Sequence, residues 1–224
     1  LSLELLGEKH CMREILSAKQ LYFEGLLYRF QAETNLDTST LKLALEKQRN
    51  TLLHAPEAAF IINEMGVIYG QMGKQEKALA QFQLTIELSP NWSIPYSNLC
   101  LLHGLIGNFD KAIEYGKQAI RLSPRNVLAF NNLGLAWSKS GNEVDAEKAY
   151  VRAISLDDSY TDAIYNLACL KARQGYQELA LEWLEQALKK GFHDAELLKT
   201  DADLVATRQL PRFNQLMEKY LESK

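Results

Sequence analysis

Four glycines, Gly73, Gly107, Gly141 and Gly175, stand 34 residues apart, and four alanines, Ala78, Ala112, Ala146 and Ala180, repeat the same interval. A period held this strictly specifies a stack of like units, because each unit can bury its apolar face only against its neighbours. The units run 59–92, 93–126, 127–160 and 161–194. Each opens with an amphipathic stretch, breaks at the glycine and resumes with a second amphipathic stretch. The spacing predicts helix, turn, helix, with the glycine supplying the left-handed residue that ends the first helix.

Positions inside the unit agree with this reading. The eighth is small (Gly66, Cys100, Gly134, Ala168), so the two helices of a hairpin can approach closely. The fourth and seventh are bulky and share its helical face: Ile62, Tyr96, Phe130, Ile164 and Met65, Leu99, Leu133, Leu167. The twentieth is alanine and the twenty-seventh is Thr85, Ala119, Ala153 or Ala187. Pro90 and Pro124 stop the second helix in the first two units. Asp158 and Phe192 replace them later, so the last two closing turns are expected to differ. Trp92, Trp137 and Trp183 are read as packing residues.

The small eighth residue, the glycine at fifteen, the alanine at twenty and the small residue at twenty-seven resemble the tetratricopeptide repeat family, in register over Ala59–Asp194. Cys100, His103, Gly116 and Lys171 depart from its pattern. The resemblance implies an all-α fold, a right-handed helical solenoid of helix-turn-helix repeats, in a bacterial-type array with a C-terminal capping segment. Residues 1–56 are expected to form a helical extension with a degenerate repeat, 57–194 the four repeats and 195–224 the cap. In the extension, residues 2–17 read as a helix. Ala18–Gln31 and Thr40–His54 read as a hairpin, with Gly25 at the eighth position and Ala44 at the twentieth. Pro211 suits the first turn of a closing helix.

The resemblance also implies a concave face lined by the first helices. Its candidate groove residues are Asn63, Asn98, Leu101, Leu128, Asn131, Asn132, Lys139, Tyr165, Asn166 and Arg173. Asn98, Asn132 and Asn166 form a ladder of carboxamides, each with a donor and an acceptor for an extended backbone. The family's clamp for chaperone tails is matched only at its middle asparagine, so an acidic chaperone C-terminus is not expected as ligand. What the resemblance implies is a protein–protein interaction scaffold that takes a peptide or helix in its groove. Two alternatives stand beside it. One is a non-catalytic regulatory or recruiting region of a larger bacterial enzyme, a peptidase or kinase. The other is a homo-oligomeric scaffold that self-assembles through the N-terminal extension.

Composition narrows the field. A net charge of −3 offers no basic face for nucleic acid. The apolar runs are too short to span a bilayer. Three dispersed cysteines, Cys11, Cys100 and Cys169, suit a reducing compartment rather than a disulfide framework. The expected location is cytoplasmic, or periplasmic if a signal peptide has been removed. The chain begins at Leu1 and reads as a piece of a longer protein or as a trimmed chain. His10 and Cys11 are adjacent, hence about 100° apart on a helix and badly placed for a dyad. No phosphate loop, nucleophile elbow or metal-ligand spacing appears. No catalytic residue, metal or cofactor is therefore called for. The Asp157–Asp158 pair is expected to cap the next helix.

Overall fold

The computed structural model describes residues 17–32, 38–55 and 57–222. His10, Cys11, Pro56, most of the expected helix over residues 2–17, and residues 33–37 lie outside the described residues. The described residues form α1 (17–32), α2 (Thr38–His54), α3 (Ala59–Gln71), α4 (Gln75–Leu88), α5 (Ser93–Leu105), α6 (Phe109–Leu122), α7 (Val127–Lys139), α8 (Glu143–Leu156), α9 (Thr161–Arg173), α10 (Gln177–Lys189), α11 (Ala195–Thr200) and α12 (Pro211–Met217), with no strand among them. This is the all-α helix-turn-helix repeat architecture expected. The chain divides into two compact units, Leu1–Leu102 and His103–Lys224.

The glycine turns are set by the backbone. Gly73, Gly107, Gly141 and Gly175 have φ of 70, 79, 86 and 86°, a region closed to most side chains. The next amide donates back to the carbonyl of the eleventh residue: Lys74 to Tyr69 and Asn108 to His103 at 2.8 Å, Asn142 to Trp137 at 2.9 Å, Tyr176 to Lys171 at 3.0 Å. Only the carbonyl is used, so the turn accepts four different side chains at that position.

Close approach fixes the eighth residue. A Cβ on Gly66 would stand 2.6 Å from Cε1 of Phe82, and one on Gly134 would stand 2.7 Å from Cε1 of Tyr150. The same arrangement recurs between α1 and α2, where a Cβ on Gly25 would stand 2.6 Å from Nε2 of Gln48. Ala44, Ala78 and Ala146, each four residues before the partner, are wholly buried. Thr51 and Thr85 both turn their hydroxyls onto the carbonyl four residues back, at 2.8 Å.

The closing turns divide differently from expectation. Ser89, Ser123 and Asp157 end α4, α6 and α8 with φ of −143, −142 and −149°. In each case the amide three residues on returns to that residue's carbonyl. The Asp158 turn thus matches the Pro90 and Pro124 turns. The Asp157 carboxylate replaces the ring's constraint by accepting from the Ser159 amide at 2.9 Å and its hydroxyl at 2.6 Å. Asp157 therefore ties the turn instead of capping α9, whose N-cap residue Tyr160 makes no side-chain cap bond. Asp158 pairs with Lys190 at 2.7 Å. Only the Phe192 turn differs: α10 ends in a helical Lys190 followed by Gly191 at φ 103°.

Beyond α10 the chain folds back on the last repeat. Leu198, Leu204, Phe213, Leu216 and Met217 join Ala168, Leu181, Leu184 and Leu188 in one buried cluster. Pro211 stands in the first turn of α12. Its missing amide proton costs nothing there.

Candidate interaction surface

In the first unit, α1 and α3 lie side by side. The ring of Tyr22 meets Phe60 edge-on at 5.1 Å, and Arg29 pairs with Glu64 at 3.0 Å. Phe60 remains 47% exposed, while Val67 and Leu101 are half-buried. Asn63 is buried and accepts from the Nδ2 of Asn98 at 3.0 Å.

The second unit repeats this carboxamide bond two periods later. Asn166 donates to Asn131 Oδ1 at 2.9 Å, and Asn131 donates to Asn132 Oδ1 at 3.5 Å. Asn131 and Asn132 are buried, Leu128 is half-buried and Lys139 is exposed. In both units the sixth-position asparagine joins the fifth-position asparagine of the preceding repeat. Asn98 and Asn166 thus bond to a fifth-position asparagine and not to another rung of the ladder expected from sequence. The 35-residue spacing of Asn63–Asn98 and Asn131–Asn166 is its signal. Asn98 and Asn166 each keep an oxygen and one N–H with no partner among the described residues.

Tyr165 and Arg173 are held by the chain itself. The Tyr165 hydroxyl donates to Asp201 at 2.6 Å, and its ring stacks on Phe192 at 4.6 Å. Arg173 reaches Ser138 at 2.7 Å and both Glu143 and Asp203 at 3.1 Å. Cys169 lies 3.7 Å from the same Asp201 oxygen. Burial, and then the Asp201 carboxylate, push this thiol above the ordinary cysteine range, so it stays protonated and weakly nucleophilic. Burial likewise raises Tyr165 and keeps it a neutral donor. Sequence reasoning placed Asp201 and Asp203 in the cap without seeing that they seat on α9.

Among the described residues no group of three or more His, Cys, Asp or Glu side chains could hold a metal ion. No described helix is long and apolar enough to cross a membrane. His103 stacks on Tyr115 at 5.4 Å, and its buried Nδ1 has no hydrogen-bond partner among the described residues.

Paired helices joined by a left-handed glycine, with Gly66 packed against Phe82 and Gly134 against Tyr150 where they cross, define a helical-hairpin repeat protein. Residues 61–91, 96–126 and 161–189 match the family model of the tetratricopeptide repeat, and the chain is a tetratricopeptide-repeat protein. It resembles the crystal structure of TTC0263, a thermophilic TPR protein of Thermus thermophilus, with TM-score 0.70 and 18% identity over 89% of this chain and 98% of that one. PilF of Pseudomonas aeruginosa gives TM-score 0.68 and 14% identity, covering 94% and 95%. YrrB, described as a TPR protein with an unusual peptide-binding site, gives TM-score 0.52 and 18% identity, covering 82% and 89%. At these identities the likeness is one of fold. A curated relative, a chloroplastic protein of Arabidopsis thaliana, is 34% identical over 61 residues, which is 27% of this chain and 18% of that protein's length. The repeat fold is consistent with a protein–protein interaction scaffold.

Proposed function

We propose that the chain is a non-catalytic scaffold that binds a peptide or helix of a partner protein on the first-helix faces of its units. The observation that carries this reading is the mixture on those faces. Half-exposed apolar side chains, Phe60 and Leu101 in the first unit and Leu128 in the second, stand beside carboxamides that keep an unused oxygen and N–H. Spaced apolar side chains of a ligand suit the former, and its backbone suits the latter. The inter-repeat asparagine bonds hold the first helices in place, so little ordering is needed on binding. YrrB, described by its peptide-binding site, has the same fold and supports the reading. Tyr165 and Arg173, already engaged by Asp201 and Asp203, lie at the border of the second face. We also read residues 17–54 as a fifth, degenerate repeat, on the recurrence of the glycine contact and the threonine bond.

The test compares proteins captured from source lysate by the wild-type chain and by Leu101→Ala/Leu128→Ala. The expected result is loss of the specific partners from the double variant at an unchanged melting temperature. Undiminished capture overturns the reading.

A second reading, self-association through the extension, is favoured by Phe23, Leu27 and Phe30. They repeat along one stripe of α1 and are 64, 55 and 62% exposed. Light scattering on the full chain and on Phe23→Ser/Leu27→Ser/Phe30→Ser decides it. A monomer mass for both removes this reading.

A further inference from the structure

A surface cavity of about 360 Å³ opens in the first unit between α2, the end of α3 and the start of α4. Its polar lining is Lys42 and Arg49 from α2, Tyr69 from α3, Lys74 and Lys77 at the head of α4, and one carboxylate, Glu46. None of the first-helix residues proposed to meet a partner lines it. In a chain of net charge −3, four cations against one carboxylate is a local reversal of sign. Lys47, on the same helix α2, is paired with Glu24 at 2.6 Å. No carboxylate among the described residues lies within ion-pairing distance of Lys42, Arg49, Lys74 or Lys77. Four like charges around one cavity repel one another, and an anion placed among them removes that cost.

The donors are also arranged. Tyr69 is buried, and its hydroxyl oxygen accepts from the Arg49 guanidinium at 2.8 Å. The hydroxyl's own proton has no acceptor among the described residues, so it can be given to a ligand oxygen. Lys77 stands 5.8 Å over the Tyr69 ring. Lys74, the N-cap residue of α4, makes no side-chain cap bond. The first amides of a 14-residue helix therefore add partial positive charge beside the lysines.

We infer that this cavity is a site for an oxyanion, the carboxylate or phosphate group of an acidic or phosphorylated peptide, held by Lys42, Arg49, Lys74, Lys77 and the Tyr69 hydroxyl. Nucleic acid fits less well. Base recognition by such patches relies on an open aromatic face, and Tyr69 is only 5% exposed, with Lys77 over its ring.

The experiment uses the full chain and fluorescence anisotropy. The probes are three labelled peptides alike except for a central Ser, phosphoserine or run of three Glu. Inorganic phosphate serves as competitor, and a labelled single-stranded oligonucleotide as a separate probe. The expected result is salt-sensitive binding of the phosphoserine and Glu peptides and not of the Ser peptide. Lys42→Gln/Lys74→Gln/Lys77→Gln should weaken it about tenfold or more at unchanged melting temperature, because charge-assisted bonds carry the affinity. Lys199→Gln, an exposed lysine of the second unit, should change nothing. Tyr69→Phe, which keeps the ring and loses the proton, should weaken binding about threefold, as expected for one hydrogen bond. Equal binding by the triple variant, or no binding of either acidic peptide, overturns the site. Inorganic phosphate that competes at the peptide's own concentration assigns the site to the free anion and overturns the peptide. So does an oligonucleotide that binds more tightly than both peptides and is lost in the triple variant.

Discussion

At the last repeat, α9 and α10 are covered by the segment that follows them. Leu204 is wholly buried, Phe213 and Leu216 are nearly so, and Arg212 clasps Glu178 and Glu185 at 3.3 and 3.2 Å. At the first pair, α1 turns Phe23, Leu27 and Phe30 outward. The contacts between paired helices follow the same plan in both places, with Gly25 against Gln48 as Gly134 is against Tyr150. The difference lies outside the hairpin. A repeat carries the apolar face that its neighbour would bury, and whatever lies beyond the last such face decides whether it is dry. Here Leu198–Met217 dry the last repeat, while α1 keeps Phe23, Leu27 and Phe30 exposed.

Four comparisons, the two glycines taken together, would break or sharpen this contrast. The largest effect belongs to the covered end. Leu204→Ala should cost about 2–5 kcal/mol, the range for removing a fully buried leucine, with the helices from α9 onward losing hydrogen-exchange protection first. Loss spread evenly over both units would erase the distinction. Next comes Gly134→Ala, whose Cβ must displace a ring that is 1% exposed, at about 1–3 kcal/mol. Gly25→Ala should cost less, because its nearest contact is the flexible end of Gln48 at 2.6 Å, with the Ala44 carbonyl next at 3.3 Å. Equal costs measured by denaturant melts would mean that the first pair is packed as rigidly as the third repeat.

A smaller effect is expected from acid. Glu185 accepts from Lys189, Arg212 and Tyr220, and these bonds, that of Lys189 first, lower its carboxyl from 4.5 to about 2. The unfolded chain takes up the proton first, so the clasp's contribution is complete above pH 4.5 and lost as pH falls toward 2. Melting at pH 6 and pH 3 should differ more for the wild type than for Glu185→Gln. The smallest effect is at α1: Phe23→Ser/Phe30→Ser should alter the stability of the monomer by less than about 0.5 kcal/mol, as exposed substitutions do. A drop comparable with that of Leu204→Ala would show the stripe to be covered in solution.

Much of the fold could be read from residues whose role is local. Gly141 must be left-handed, Gly134 must be small, and Ala146 must vanish into the crossing, each for a reason carried by one short stretch of chain. The expectation that Asp158 would change its turn failed because proline and an aspartate-bonded serine reach the same backbone geometry by different means. The candidate surface was less legible. The asparagine ladder was visible as a row, but its bonds to Asn63 and Asn131 connect residues 35 apart. Tyr165 and Arg173 looked like open groove positions because nothing in their own repeat announces Asp201 and Asp203. The cationic cavity joins Lys42 and Arg49 to Lys74 and Lys77 across two helices, a proximity no periodicity encodes.

The sequence by itself determined the hairpin, its turn and the size of each crossing residue, since these depend on φ, on volume and on neighbours within one period. The tertiary structure decided which polar groups remain for a partner. Hydrogen bonds and ion pairs are short-range, and the groups that satisfy them come from the next repeat, from the cap or from another helix, at separations the 34-residue rhythm leaves unspecified.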